Sequence, residues 1–218
     1  MRLPVVEDPD VPIIEVHLLK GHPSSVRTRL INAMTDAFRM IVPAQPAAIT
    51  VLLHEVERDN YMRGGAMRRR TKALPEPVSV LLDYLTALRE GDFDKANGFL
   101  TEDCEYTLPG GGSVRSPVEV VEWARTRASV MGVDLESTDT SPGDRGPVVY
   151  LRGRLKGEFH DGVPFTGVRV VTRYAFDGGK ICQVDLWTDL ADRLAAHAAK
   201  TGARVIPPAV PGTDSADR

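Results

Sequence analysis

The amino-acid sequence predicts an α+β protein made of two units in series. A strand, a long amphipathic helix and a second strand come first along the chain. After a basic, Pro-containing stretch, the chain forms short helices and then several strands joined by tight turns. The first pattern is typical of a βαβ unit with parallel strands. The second, helices followed by an antiparallel meander, is typical of an α+β domain.

The first unit is predicted from its apolar spacing. Apolar side chains alternate over residues 12–19, which favours a strand, and residues 21–25 form a helix start. Pro43 ends the helix, and residues 48–56 are predicted to form the second strand. The pair Gly64-Gly65 indicates a tight turn. The helix carries its apolar residues at helical spacing: Val26, Leu30, Ala33, Met34, Ala37, Phe38 and Ile41.

The second unit begins at Pro77, which opens a helix that Gly91 ends. A short helix over 93–100 and a strand over 104–108 follow. Pro117 opens a third helix whose apolar stripe reaches Val130. Four further strands are predicted at 133–138, 147–159, 164–176 and 180–188, the last three joined by turns at 160–162 and 177–179.

These elements define the domain boundaries. Residues 1–11 are interpreted as an N-terminal extension, and residues 68–77 as a linker. The two domains are predicted over 12–67 and 78–195. Residues 196–218 turn to Pro, Gly, Asp and Ser, so a disordered tail is predicted there.

Composition excludes several classes of function. The 27 Lys and Arg residues nearly balance 30 Asp and Glu, so nucleic acid is not an expected partner. No apolar run reaches membrane-spanning length and no signal peptide is recognisable, so we expect a cytoplasmic protein with no membrane partner. The two cysteines are expected to be buried free thiols. The five histidines are scattered and no Gly-rich phosphate loop follows a strand, so neither a metal nor a cofactor is predicted.

The segments PIIEVHLLKGHPSSVRTRLINAMTDAF and TVLLHEVERDNYMRGG resemble the 4-oxalocrotonate tautomerases. The marks are Pro12 opening the first strand, Gly21 closing it, and Tyr61 three residues before Gly64. The resemblance implies a proline whose free N-terminal amine moves a proton between carbon and oxygen of an enol. It also implies assembly into dimers, trimers or hexamers, so we expect a homo-oligomer.

The sequence departs from that family in two respects. Pro12 follows eleven residues, so its nitrogen is acylated and not basic as the chain is written. Alternatively, translation starts at the valine codon of residue 11, and Pro12 becomes terminal. The family's substrate-binding arginines are replaced by His22 and Thr50, which cannot make the bidentate contact of a guanidinium. Tyr61 and the nearby Arg63, together with Arg58, are candidates for compensating substrate binding.

The segments LLDYLTALREGDFDKANGFLTEDCEYTL and YAFDGGKICQVDLWTD resemble the SnoaL-like and ketosteroid-isomerase proteins. The resemblance implies a cone-shaped α+β barrel around a mostly apolar pocket. Tyr84 matches the oxyanion-hole tyrosine of the ketosteroid isomerases. Leu108 falls where that family has its carboxylate base, and Thr172 falls near its protonated carboxylic acid. Classical ketosteroid isomerisation is therefore disfavoured.

Strand alternation sorts the other candidates of this domain. Tyr106 is predicted to face the pocket as a catalytic hydroxyl, and Thr172 and Tyr174 to face it as substrate contacts, with Trp123 on the third helix. Asp185 is the carboxylate of the last strand that could act as a base, but alternation points it away from the pocket. The simpler interpretations are that Tyr84 and Tyr106 are core tyrosines and that Asp185 is a surface or interface charge.

Both resemblances imply proton transfer next to a carbonyl. The sequence therefore favours a small-molecule isomerase or cyclase acting by acid–base chemistry on an enol, enone or polyketide-like substrate, in bacterial secondary or aromatic metabolism. The alternative is a non-catalytic binding protein whose tautomerase-like domain serves only for oligomer assembly.

Overall fold

The computed structural model describes residues 12–67, 73–110 and 112–202. The chain divides into two compact units, Met1–Lys72 and Ala73–Arg218, a division that falls inside the predicted linker. The mixed α+β class predicted from the sequence is confirmed. Within the described residues, no helix has the length and apolar character needed to cross a membrane.

The first unit consists of a strand, a helix, a second strand and a small hairpin. Strand β1 spans Ile13–Leu19, helix α1 spans Ser24–Ile41, and strand β2 spans Thr50–Val56. Strands β1 and β2 pair in parallel, with Ile13 opposite Thr50 and His17 opposite His54. Strands β3, Met62–Arg63, and β4, Ala66–Met67, form an antiparallel hairpin. Its turn requires positive φ at two successive residues, and Gly64 (+63°) and Gly65 (+74°) adopt it without a Cβ penalty.

The β1–β2 pair has one half-buried face and one open face. Ile14, Val16, Leu18, Val51 and Leu53 are half-buried, and α1 contacts β2. On the opposite face the side chains are exposed, including those of Glu15, His17, Leu52 and His54. None of the described residues of this unit is fully buried. So small a unit has too little interior to build a closed core from its own residues.

The second unit packs its helices against one six-stranded sheet. Helices α2, Pro77–Glu90, and α3, Phe93–Gly98, come first, and helix α4 spans Pro117–Arg125. The sheet has the strand order β6-β5-β10-β9-β8-β7, and its neighbours pair antiparallel except β5 and β10, which are parallel. The strands are β5 Leu100–Leu108, β6 Gly112–Val114, β7 Val130–Pro142, β8 Pro147–Glu158, β9 Pro164–Asp177 and β10 Lys180–Thr188. Helix α5, Leu190–Thr201, follows the last strand.

Local signals fix where the helices of this unit begin and end. The Glu76 carboxylate caps α2 by accepting from the Ser79 N–H at 2.8 Å, and Pro77 occupies the first turn, where its missing N–H costs nothing. Gly91 ends α2 in the left-handed conformation at φ 73°. Ser116 and Glu119 form a reciprocal capping box at the start of α4. These caps fix the ends of α2, the helix that carries Tyr84, and the start of α4, the helix that carries Trp123.

Alternation along the strands divides the sheet into a buried face and an outer face. The main core lies between the buried face and α2, α3 and α4, and Tyr84, Tyr106, Phe176, Leu81 and Ile181 are its largest fully buried side chains. A second cluster packs under α5, with Leu190 against Phe159, Phe165 and Val168. Both thiols, Cys104 and Cys182, are buried and free, as expected from the sequence.

The structure departs from several of the predicted elements. Val130 was predicted to continue the third helix, but it begins β7, because α4 ends at Arg125 with Thr126 as its cap. Strand β5 starts at Leu100, four residues before the predicted strand. Helix α5 extends through Thr201, so residues 196–201 of the predicted tail are helical. Residues 203–218 of that predicted tail, the predicted extension and residues 68–72 of the predicted linker lie outside the described residues.

Gly157 provides a test of the β7–β8 pairing. A Cβ at Gly157 would lie 1.9 Å from the Val130 carbonyl oxygen, whereas a Cβ at Gly132, on the neighbouring strand, would meet nothing within 4 Å. Because backbone cannot move aside cheaply, we expect Gly157→Ala to destabilise the unit by about 3 kcal/mol. Gly132→Ala should change the unfolding free energy by less than about 0.5 kcal/mol. Urea unfolding followed by circular dichroism measures both, and equal midpoints would contradict this packing.

Candidate functional site

Two tyrosine hydroxyls meet inside the second unit. Tyr84 lies on the buried stripe of α2, and Tyr106 is an inward residue of β5. Their Oη atoms are 2.9 Å apart, and each residue is only 1% exposed. The helix spacing and the strand alternation therefore bring together the two hydroxyls predicted to be catalytic.

A row of side chains across the sheet extends this pair. Tyr106 of β5 lies opposite Val184 of β10, which lies opposite Tyr174 of β9. The Tyr174 ring packs edge-on against the Tyr84 ring, with centroids 6.4 Å apart. Thr172, two residues earlier on the same buried face, interacts with the Tyr174 hydroxyl. Three tyrosines and a threonine thus share one interior.

Burial keeps these hydroxyls protonated. It raises the pKa of Tyr84, and the negative charge that Tyr106 would carry adds to that shift. Burial likewise raises the pKa of Tyr106 and of Tyr174 above the ordinary range of tyrosine. The pKa of the Cys104 thiol, which interacts with Tyr106, rises to about 12 for the same reason. At neutral pH, all four groups are therefore neutral hydrogen-bonding groups.

The surroundings of the pair are apolar. Leu81, Leu108 and Val114 belong to the same core cluster, and so does Trp123 of α4, which is 7% exposed. Two hydroxyls carry two hydrogens, and the bond between them uses one. Tyr106 also interacts with the Cys104 thiol, whose hydrogen can rotate. The tyrosine pair can therefore donate its second hydroxyl hydrogen to an added acceptor. A donor in such a medium acts strongly on an oxygen that develops negative charge.

From residues 73–110 and 112–202, no carboxylate joins the tyrosines. Leu108, which the resemblance to the ketosteroid isomerases aligns with the base of those proteins, is an aliphatic core residue that is 4% exposed. Among the described residues, Asp185 is the one charged side chain that is buried. The interior thus combines hydrogen-bond donors with an apolar wall. The described parts of the chain place no charged base in it.

Asp185 lies on the outer face of the sheet, as its alternation predicts. It pairs with Arg173 across β9 and β10, and the Arg173 guanidinium donates to its carboxylate at 2.8 Å. The Gln183 amide donates to both carboxylate oxygens at 3.1 and 3.2 Å. The two charged side chains are 26% and 12% exposed, so the ion pair is largely shielded from water.

A cavity of about 590 Å³ lies at the ends of β5 and β10. Its wall includes Leu108, Asp185, Leu186 and Trp187. Leu108 and Leu186 also pack in the core that holds Tyr84 and Tyr106. These two side chains therefore border both the cavity and the core that holds the tyrosines.

Replacement of Asp185 tests its role directly. We expect Asp185→Asn to lower the unfolding free energy by roughly 1–3 kcal/mol, because it leaves the shielded Arg173 charge unpaired. At saturating substrate, turnover should not change, since Asp185 does not face the tyrosines, although its place in the cavity wall lets the change alter KM. The matched control is Asp189→Asn, which breaks the exposed Arg169–Asp189 pair and should cost at most about 1 kcal/mol. Loss of turnover in Asp185→Asn at unchanged stability would instead identify a base.

The first unit brings together only some of its predicted site residues. The Pro12 carbonyl accepts from the Thr50 N–H at 3.0 Å, so these two residues are neighbours at the start of the strand pair. His22 precedes α1, and its carbonyl accepts from Arg27 at 3.0 Å. Tyr61 and Arg63 are exposed at the hairpin, and within residues 12–67 no hydrogen bond joins either side chain to Pro12.

One cluster was missed by the sequence analysis. The imidazoles of His17 and His54 stack with centroids 4.8 Å apart and planes 16° apart. The Glu15 carboxylate is 4.0 Å from the His17 Nε2 atom. The sequence predicted no metal because the histidines are far apart along the chain. The parallel register brings them side by side.

Comparison with known proteins agrees with both resemblances. Residues 12–70 match the family model described as tautomerase enzyme, and residues 81–184 match the model described as SnoaL-like domain. The prediction that one chain carries both is confirmed. No protein of curated function matches the chain.

Solved structures with low identity also match about half of the chain. An NTF2-like protein from Burkholderia thailandensis is 24% identical, over 58% of this chain and 98% of its own, with a TM-score of 0.46. IdmH, a putative polyketide cyclase from Streptomyces antibioticus, is 17% identical over 57% and 99%, with a TM-score of 0.46. A putative polyketide cyclase from Xanthomonas campestris pv. campestris is 18% identical over 55% and 94%, with a TM-score of 0.44.

Proposed function

We propose that the protein is an isomerase or cyclase that moves a proton next to a carbonyl of a small conjugated substrate, and that the second unit performs the chemistry. The observation that carries the proposal is the Tyr84–Tyr106 hydroxyl pair, 2.9 Å apart in an apolar interior. The two family matches, to tautomerase and SnoaL-like proteins, support the same reaction class.

The hydroxyl pair acts on the substrate oxygen. When a proton leaves the carbon next to a carbonyl, negative charge develops on the carbonyl oxygen. Tyr84 donates a hydrogen bond to that oxygen, and Tyr106 holds Tyr84 in position. Because burial keeps both hydroxyls neutral, the donor hydrogen is present throughout the neutral pH range. A preorganised donor of this kind supplies roughly 10²–10³-fold of rate.

The missing base restricts the substrate. Leu108 cannot accept a proton, so the carbon acid must be one that yields its proton to water or to another oxygen of the same substrate. A carbon between two carbonyl groups, or an existing enol, meets that requirement, whereas an isolated ketone does not. We therefore favour a β-dicarbonyl, enol or poly-β-ketone of secondary or aromatic metabolism.

Entry is proposed through the cavity at the ends of β5 and β10. Its volume, about 590 Å³, lies within the range of small-molecule sites. Leu108 and Leu186 border both this cavity and the core that holds the tyrosines, and we propose that a substrate displaces these side chains to reach Tyr84. Trp187 then provides an apolar wall on which a conjugated ring can pack.

A non-catalytic binding protein is the second candidate. It is favoured by the 1% exposure of Tyr84 and Tyr106, which are also the features of a well-packed core. In that case the first unit serves oligomer assembly, through the open face of β1 and β2 that exposes Ile13 and Leu52.

Solvent proton exchange distinguishes the two candidates. The full chain is added to a cyclic β-diketone or a β-keto ester in D₂O, and loss of the α-proton signal is followed by NMR. A catalyst accelerates exchange above the buffer rate, and the acceleration falls in Tyr84→Phe. A binding protein shifts the ligand resonances and leaves the exchange rate at that of buffer.

A further inference from the structure

We propose that Glu15, His17 and His54 form a binding site for a divalent transition-metal ion, of the class represented by Zn²⁺, on the open face of the β1–β2 pair. This site is independent of the proposed catalytic interior, which lies in the other unit. It rests on the kinds of side chain present, on their register and on their freedom to move.

The three side chains are those that such ions select. Imidazole nitrogens and a carboxylate oxygen form the His₂Glu set found in zinc sites that keep one coordination position open. Imidazole also suits Ni²⁺, Co²⁺ and Cu²⁺, whereas Mg²⁺ and Ca²⁺ prefer sites made only of oxygen. The donor set therefore points to a transition metal.

The strand register places the three donors together. His17 and His54 are direct partners in the parallel ladder, and Glu15 lies two residues before His17, on the same face. One donor atom from each residue can be chosen so that all three lie within 4.8 Å of one another. Around a tetrahedral zinc ion with bonds near 2.0–2.1 Å, neighbouring ligand atoms lie about 3.3 Å apart. The side chains must therefore close in by at most about 1.5 Å.

That movement is available at low cost. The side chains of Glu15 and His17 are 57% and 63% exposed, and His54 is exposed as well. Rotations about side-chain torsions therefore meet little packing resistance, while the backbone positions stay fixed by the β1–β2 ladder. The flanking Ile13 and Leu52, 63% and 41% exposed on the same face, form an apolar border next to the ligands.

The ion would join the two strands of the unit by their side chains. Coordination from β1 and β2 at once requires their native register, so the bound ion stabilises the folded unit by mass action. This matters in a unit whose described residues form no fully buried core.

The test is titration of the full chain with ZnCl₂, after removal of any histidine tag, by isothermal calorimetry. Visible absorption of added Co²⁺ reports the coordination geometry. We expect one saturable site per chain, a rise in melting temperature with Zn²⁺, and no such rise with Mg²⁺. Loss of one ligand in His17→Ala, His54→Ala or Glu15→Gln should weaken Zn²⁺ binding by about tenfold or more. Residues that only hydrogen-bond to a metal ligand already contribute about tenfold to metal affinity, and a direct ligand contributes at least as much.

The matched control is His160→Ala, which removes an exposed histidine of the second unit and should leave the affinity unchanged. Circular dichroism of each variant without metal verifies that the unit is folded. The proposal is overturned if the full chain shows no saturable Zn²⁺ binding. It is also overturned if binding survives in both His17→Ala and His54→Ala.

Discussion

Tyr84→Phe should lower the catalysed rate of α-proton exchange by roughly 10²-fold, which is the effect of losing one preorganised hydrogen-bond donor to a developing oxyanion. The ring stays in place against Tyr174, so the apolar packing is retained. The Tyr106 hydroxyl loses its partner at 2.9 Å, so the unfolding free energy should fall by only about 1–2 kcal/mol. Rates from proton exchange and stabilities from urea unfolding measure the two effects separately.

Two further tyrosine variants make the test specific. Tyr106→Phe removes the group that positions Tyr84, so its turnover should fall by less than that of Tyr84→Phe. Tyr150→Phe is the matched control, because Tyr150 is 38% exposed on the outer face beside Arg173. If all three variants keep wild-type turnover while Tyr84→Phe melts earlier, Tyr84 is a core residue and the chemistry proposed for it is wrong.

Alternation along the strands of the second unit predicted the direction of the candidate side chains on β5, β9 and β10. Alternation placed Tyr106 and Tyr174 inward and Asp185 outward, whereas Tyr84 was identified by its resemblance to the oxyanion-hole tyrosine of the ketosteroid isomerases. Spacing could not predict that the Tyr84 and Tyr106 hydroxyls bond, because their distance depends on how closely α2 packs on β5. It also could not predict that Asp185 pairs with Arg173, since that contact depends on the register of β9 against β10.

The first unit shows how a small error in strand ends hides a site. In the predicted strands, 12–19 and 48–56, His17 is the sixth residue of its strand and His54 is the seventh residue of its strand. If the two strands are aligned from their first residues, the two side chains lie on opposite faces of the sheet. In the structure a short 3₁₀ turn occupies Pro46–Ala48, and β2 begins at Thr50. His17 and His54 are then each the fifth residue of their strand, and they are direct partners in the parallel pair. The sequence alone does not reveal a cluster that depends on shifting the start of one strand by one residue relative to the other.

Exposure of the Pro12 nitrogen should switch on a tautomerase activity in the first unit. A chain beginning Met-Pro12 loses its Met because proline is small, and the freed secondary amine can accept a proton, which an amide nitrogen cannot. Pro12 is held beside Thr50 by the bond from the Thr50 N–H to its carbonyl, so the amine would lie at a fixed position at the start of the strand pair. We expect this short form to ketonise phenylenolpyruvate, whereas the first unit of the full chain, with an acylated Pro12, contributes no such activity. Loss of the enol absorbance measures both forms.

The chemistry of the amine also specifies its controls. The short form with Pro12→Ala carries a primary amine without the ring, and it should be much slower. Since His22 and Thr50 stand where the family has arginines, monoacids should react faster than dicarboxylates, and Thr50→Arg should narrow that gap by supplying a bidentate partner for the second carboxylate. Intact-mass measurement verifies that Met has been removed. If the short form with Pro12 free is as inactive as the full chain, the first unit is not a proline-base tautomerase, and all acid–base chemistry of the protein rests on the tyrosines of the second.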